Sequence, residues 1–114
     1  MQTIFKALDA VSATGPGPTF MLDTPKELRI TLQTTTTGDP SEVVVDFEAT
    51  LDGVNFFQNA IEVHFFAPTT GSMNQGPGTG LILGFRANLK TLSGGTVPTV
   101  TVLIAAFDRL TPGL

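Results

Sequence analysis

The sequence predicts an all-β protein, an antiparallel β-sandwich of about seven or eight strands of jelly-roll or immunoglobulin-like type. Three observations predict it. Apolar and polar residues alternate with period two in separate runs, which is the pattern a strand face requires. β-branched residues and Phe fill those runs, and no segment carries the i, i+3, i+4 spacing of an amphipathic helix. Gly- and Pro-rich turn signals separate the runs at short intervals. Closure into a β-barrel would satisfy the same pattern, and strand order is not written in these periods.

The elements follow in chain order. Residues 3–8 and 19–22 read as weaker strands, separated by Gly15-Pro16-Gly17-Pro18. In 28–33, Leu28, Ile30 and Leu32 share one face. Thr34 to Thr37 are β-competent and extend that strand toward the Gly38-Asp39-Pro40 break. In 42–51, Val43, Val45, Phe47, Ala49 and Leu51 point one way, and Asp46, Glu48 and Thr50 the other. After the Asp52-Gly53 turn, Ile61, Val63 and Phe65 alternate with Glu62, His64 and Phe66. Residues 68–80 are rich in Gly, Ser, Thr and Asn and read as a long loop carrying Met73, the kind of loop that contacts a neighbour. Leu81, Leu83, Phe85, Ala87 and Leu89 form the next apolar face, and Gly94-Gly95 breaks it. Val100, Val102, Ile104 and Ala106 form the last.

With 114 residues the chain is read as a single domain, 1–114, with an N-terminal arm at 1–6 and an apolar C-terminal tail at 108–114. It has no Cys, which excludes disulfides and thiolate metal sites. Charged residues make up only 14% and hydrophobic ones 41%, against a charged content of about 25% in ordinary domains. So little charge implies surface that is covered by another protein. Net charge is −4, and the six basic residues are scattered. A phosphate backbone needs clustered Lys and Arg, so no nucleic-acid partner is expected. The first residues lack a charged region followed by a long apolar run, so neither a signal peptide nor a membrane partner is expected.

Candidate chemistry is sparse. His64 is the sole histidine and would have to serve any His metal site or catalytic triad. Its mid-strand position reads as a surface or interface residue. Asp46 and Glu48 share a face, and paired carboxylates serve glycoside hydrolysis or Ca²⁺ binding. Alternation alone explains the pairing, with Arg29 expected across from them as a cross-strand ion partner. Asp52-Gly53-Val54-Asn55 is a turn signal without the further acidic positions of a calcium loop. Gly76-Pro77-Gly78-Thr79-Gly80 has no following Lys-Ser/Thr and is no phosphate loop. No catalytic, cofactor-binding or metal residue is assigned, and no enzyme activity is expected. Phe56-Phe57 and Phe65-Phe66 break alternation, so one of each pair points outward unless both are covered at a bulge. With no Trp or Tyr in the chain, exposed Phe fits a protein–protein seam better than a sugar platform.

The stretch from Phe47 to Phe56, FEATLDGVNF, resembles a strand-and-turn pattern of small tailed-bacteriophage virion proteins, Glu-Gly-Ser-Xaa-Asp-Gly-Xaa-Asn-aromatic. Here Ala49-Thr50 stands for the common Gly-Ser, and Phe56 for a frequent Trp. The later Arg86-Ala87-Asn88, Ser93-Gly94-Gly95-Thr96 and Val100-Thr101-Val102 resemble the ending of those proteins. Ala13 to Phe20 resembles their Gly-punctuated first hairpin. The resemblance covers most of the chain except 58–79. It implies a β-sandwich that oligomerises on the virion surface, as a capsid decoration (cement) protein or a head–tail accessory protein. It further implies a homotrimer at capsid three-fold positions, the major capsid protein as partner, synthesis in the host cytoplasm, and no cofactor. A neck, tail or fibre-associated protein shares the pattern. A carbohydrate-binding module is a third reading, disfavoured by the missing Trp and Tyr. The contacts expected on this basis are Ile4 and Phe5 in the arm, Phe57 and Phe66 as outward aromatics, Met73 in the long loop, and Leu110 and Leu114 in the tail.

Overall fold

A computed structural model describes residues 2–65 and 71–108. They form eight strands: β1 Gln2–Val11, β2 Gly15–Pro16, β3 Phe20–Thr37, β4 Glu42–Thr50, β5 Phe57–Phe65, β6 Gly71–Gln75, β7 Leu81–Ser93 and β8 Thr99–Asp108. Every pairing is antiparallel, so the all-β antiparallel expectation holds. The strands are not divided into two separate sheets. They form one hydrogen-bonded, open sheet in the order β1-β8-β3-β7-β4-β5, with β2 added on β7 and β6 on β3.

The continuity comes from β3. Its first part pairs β7, from Phe20↔Phe85 to Glu27↔Leu81. Its second part pairs β8, from Leu28↔Asp108 to Thr37↔Thr99. The sequence reading has two strands here, at 19–22 and 28–33, and Pro25 lies between them. Pro25 lies where the β3–β7 register shifts, between Met21 and Lys26. A proline without an N–H is tolerated at such a break in the ladder. The Thr run does extend the strand, and Thr34 is fully buried.

Two further expectations are corrected. The loop read at 68–80 contains β6, which pairs Gly71–Gln75 with Thr31–Thr35. Backbone hydrogen bonds rather than apolar alternation hold it, so no periodicity announced it. The arm read at 1–6 is, from Gln2 onward, the start of β1, paired with the chain's own β8 from Gln2↔Phe107 onward.

The core is one cluster drawn from both halves of the sheet. Ile30, Leu32, Val102 and Ile104 come from one half, and Val43, Val45, Phe47 and Phe85 from the other, all essentially inaccessible. Each such side chain contributes roughly 1.5–3 kcal/mol of burial. Phe5 joins the halves. Its ring lies 4.8 Å from Phe20 and 5.2 Å from Phe85, although β1 and β7 share no ladder. Phe85 in turn stacks on Phe47 at 5.6 Å. Phe5 therefore turns inward to pack the core, because period two places it opposite Ile4.

Candidate interaction surfaces

Period two that buries Ile30, Leu32 and Thr34 turns Thr31, Gln33 and Thr35 outward. The register then builds an outer face across β1, β8, β3 and β6. Ala105 lies between Ile4 and Thr31, and Thr31 is paired with Gln75. One row on, Leu103 lies between Lys6 and Gln33, and Gln33 is paired with Met73. At the far end Phe107 is paired with Arg29. Ile4 is 70% exposed and Met73 66%. Two shallow hollows of about 330 and 350 Å³ flank Ile4, floored by Thr31 and Ala105. The structure thus brings Ile4 and Met73 together on one hollow.

A second apolar surface lies at the end of the molecule where β4 turns into β5. Phe57, the first residue of β5, is 72% exposed. With Leu51, Asp52 and Leu81 it lines a cleft of about 290 Å³. Val54, in the same turn, is also exposed. The Asp52-Gly53 signal is indeed a turn. Thr50 Oγ1 accepts the Gly53 N–H at 2.9 Å, and Asp52 Oδ1 accepts the Val54 and Asn55 N–H groups at 2.8 Å. These bonds hold the Asp52 carboxyl well below the usual carboxylate range, the Asn55 N–H first among them. Gly53 takes φ +77°, which Gly adopts without strain. Phe57 is not brought together with Ile4 or Met73. Phe66, Leu110 and Leu114 lie outside the described residues.

The carboxylates share the outer face of the other half-sheet, as expected, yet Asp46, Glu48 and Thr50 are all buried. Arg29 is not their partner. It sits on β3 opposite Phe107, whereas β4 lies between β5 and β7. Arg86 of β7 takes the role. Its Nε donates to Glu48 Oε1 at 2.8 Å, Asn88 Nδ2 donates to Oε2 at 3.0 Å, and the guanidinium lies 4.0 Å over the Phe56 ring. Phe56 thus covers this cluster while Phe57 faces out, so the pair does split. Asp46 stands opposite Glu62. Burial, then the Glu62 carboxyl, push it up to about 6. Its Oδ1 is buried without a hydrogen-bond partner. His64 lies 3.0 Å from Glu42 Oε2. Among the described residues no three His, Cys, Asp or Glu side chains are set to hold a metal ion.

Sequence reading missed Leu103 and Phe107 on the outer face and Val54 at the end, and it placed Leu51 and Leu81 on the buried faces of their strands, whereas at the strand ends both are exposed. A signal for the first two was present. Val102-Leu103-Ile104-Ala105-Ala106-Phe107 is an unbroken apolar run, the composition of a strand covered on both faces. Among the described residues one face of β8 is buried, while on the other Leu103 and Ala105 are half-buried and Phe107 is exposed.

No known family model matches the chain, and no curated protein matches it in sequence. Among solved structures it is similar to the crystal structure of the SPBc2 prophage-derived protein YomS, with a TM-score of 0.53 and 12% identity over 94% of each chain. That likeness establishes a shared fold.

Proposed function

We propose that this chain is a non-enzymatic phage structural protein that oligomerises on the virion surface, acting as a capsid decoration (cement) protein with the major capsid protein as its partner. The observation that carries this reading is β8, which is apolar on both faces from Val102 to Phe107 while its Leu103, Ala105 and Phe107 side is only partly covered beside the exposed Ile4 and Met73. Such a face is built for a protein neighbour. The fold likeness to a prophage-derived protein supports a phage setting. The trimer and the capsid position rest on the motif resemblance alone.

The polar groups support binding rather than catalysis. Both Glu48 oxygens are engaged by Arg86 and Asn88. In the Phe57 cleft, Asn55 Nδ2 is spent on Asp52, and Asn59 Nδ2 donates to the Thr79 carbonyl oxygen. Few amide donors remain there to orient a sugar. A neck, tail or fibre position uses the same surfaces and differs in copies per particle. Deleting the gene from its phage tests the cement role. The expected outcome is heads that assemble but burst at lower temperature; heads as heat-resistant as the parent's would contradict it.

A further inference from the structure

We propose that the outer face around Ile4 docks the Phe57 end of a second copy of this chain, making a head-to-tail contact. The inference rests on the assembly reading above but concerns the partner of this one surface.

Both surfaces are apolar at the centre and opposite in charge at the rim. The outer face presents Ile4, Met73 and Phe107, with Lys6 and Arg29 exposed at its borders. Asp9, 3.8 Å from Lys6, is the acid beside it. The Phe57 end presents Leu51, Val54, Phe57 and Leu81. Its charge is Asp52 in the turn, with Asp23 and Lys26 paired to each other nearby.

A face that met its own copy would bring two Lys6–Arg29 pairs together, and like charges across an interface are costly. Meeting the Phe57 end instead places Lys6 and Arg29 near the Asp52 carboxylate. The shapes agree as well. The outer face has hollows on both sides of Ile4, floored by the small side chains of Ala105 and Thr31. The other end projects a bulky aromatic that is 72% exposed. Aromatic side chains seated in such hollows are the usual anchors of protein interfaces. The docked neighbour covers the open side of β8, which accounts for its unbroken apolar run. Because the two surfaces differ, the contact is heterologous, and successive copies close into a ring or extend as a filament.

The test is sedimentation of the purified full chain with two variants, Ile4→Glu and Phe57→Glu. Both positions are exposed, so far-UV circular dichroism should match the parent, and melting temperatures should match at concentrations low enough to keep the parent monomeric. The parent should self-associate, and each variant alone should bind itself at least about thirtyfold more weakly. An equimolar mixture retains one intact contact, the face of the Phe57 variant with the end of the Ile4 variant. It should form a 1:1 dimer and nothing larger. A Phe57→Glu chain that associates like the parent, a mixture that stays monomeric, or a monomeric parent at about millimolar concentration would each overturn the proposal. None of these results depends on where the protein sits in a particle, so this contact and the cement role fail separately.

Discussion

Asp46 stands directly opposite Glu62 in the β4–β5 ladder, and its buried Oδ1 has no hydrogen-bond partner. Two carboxyls therefore face each other beside Glu48, whose charge is already balanced by Arg86. Lys90 pulls Asp46 the other way, toward ionisation. Asp46 is best satisfied when it holds a proton.

Stability should therefore fall with pH across this pair. Asp46 has an ordinary value of 3.8 and is raised to about 6 when folded. The folded chain binds the extra proton between those values, so the contribution is present in acid and is lost as pH rises through about 6. A shift of this size corresponds to about 3 kcal/mol. Asp46→Asn keeps the shape without the titration. In urea melts it should match the parent near pH 4.5 and exceed it near pH 8. A variant less stable than the parent at pH 8 would contradict the assignment.

The Glu48–Arg86 pair should behave in the opposite sense when broken from one side. Arg86→Met leaves a buried carboxylate facing Asn88 alone, and an uncompensated buried charge costs roughly 3–5 kcal/mol. Arg86→Lys should recover little, because one ammonium replaces neither the Nε donor nor the planar stack on Phe56. Adding Glu48→Gln to Arg86→Met should restore part of the loss. Chemical denaturation of the three variants reads these differences directly.

Gly17 tests the close approach of the first turn to β1. A Cβ there would strike the Ala7 carbonyl oxygen and crowd Leu8, both held in the β1–β8 region. The Gly17 N–H also donates to the Ala87 carbonyl oxygen at 2.8 Å, which anchors the turn. Gly17→Ala should cost about 1–3 kcal/mol. An unchanged melting temperature would show that the turn can move away from Ala7.

Two phenylalanines should separate folding from assembly. Phe85 is fully buried among Phe5, Phe20 and Phe47, and Phe85→Ala should cost about 3–5 kcal/mol. Phe57→Ser removes an exposed ring and should change stability by less than about 0.5 kcal/mol. Thermal melts of the two variants compare these directly, and a large loss in Phe57→Ser would place that ring in the core.

The strands with clean alternation were legible because burial on one face imposes period two. Val43, Val45 and Phe47 in β4, and Val100, Val102 and Ile104 in β8, were read inward and are fully buried. β6 was not legible, because its pairing with Thr31–Thr35 uses backbone groups that every residue carries. The length of β3 was hidden by Pro25, which marks a register break rather than a strand end. Arg86 rather than Arg29 as the partner of Glu48 depends on which strands flank β4, and no local period encodes strand order. The same holds for the outer face. Ile4 and Met73 were each singled out, but only the β1-β8-β3-β6 register puts them on one hollow.

The central claim, a virion structural protein that covers the capsid lattice, is tested most directly by its copy number. Quantitative mass spectrometry of purified particles gives that number relative to the major capsid protein. A lattice-wide cement protein should be present at a ratio comparable to one copy per capsid subunit. A handful of copies would move the protein to the neck, tail or fibre, and its absence from the particle would contradict the virion reading itself.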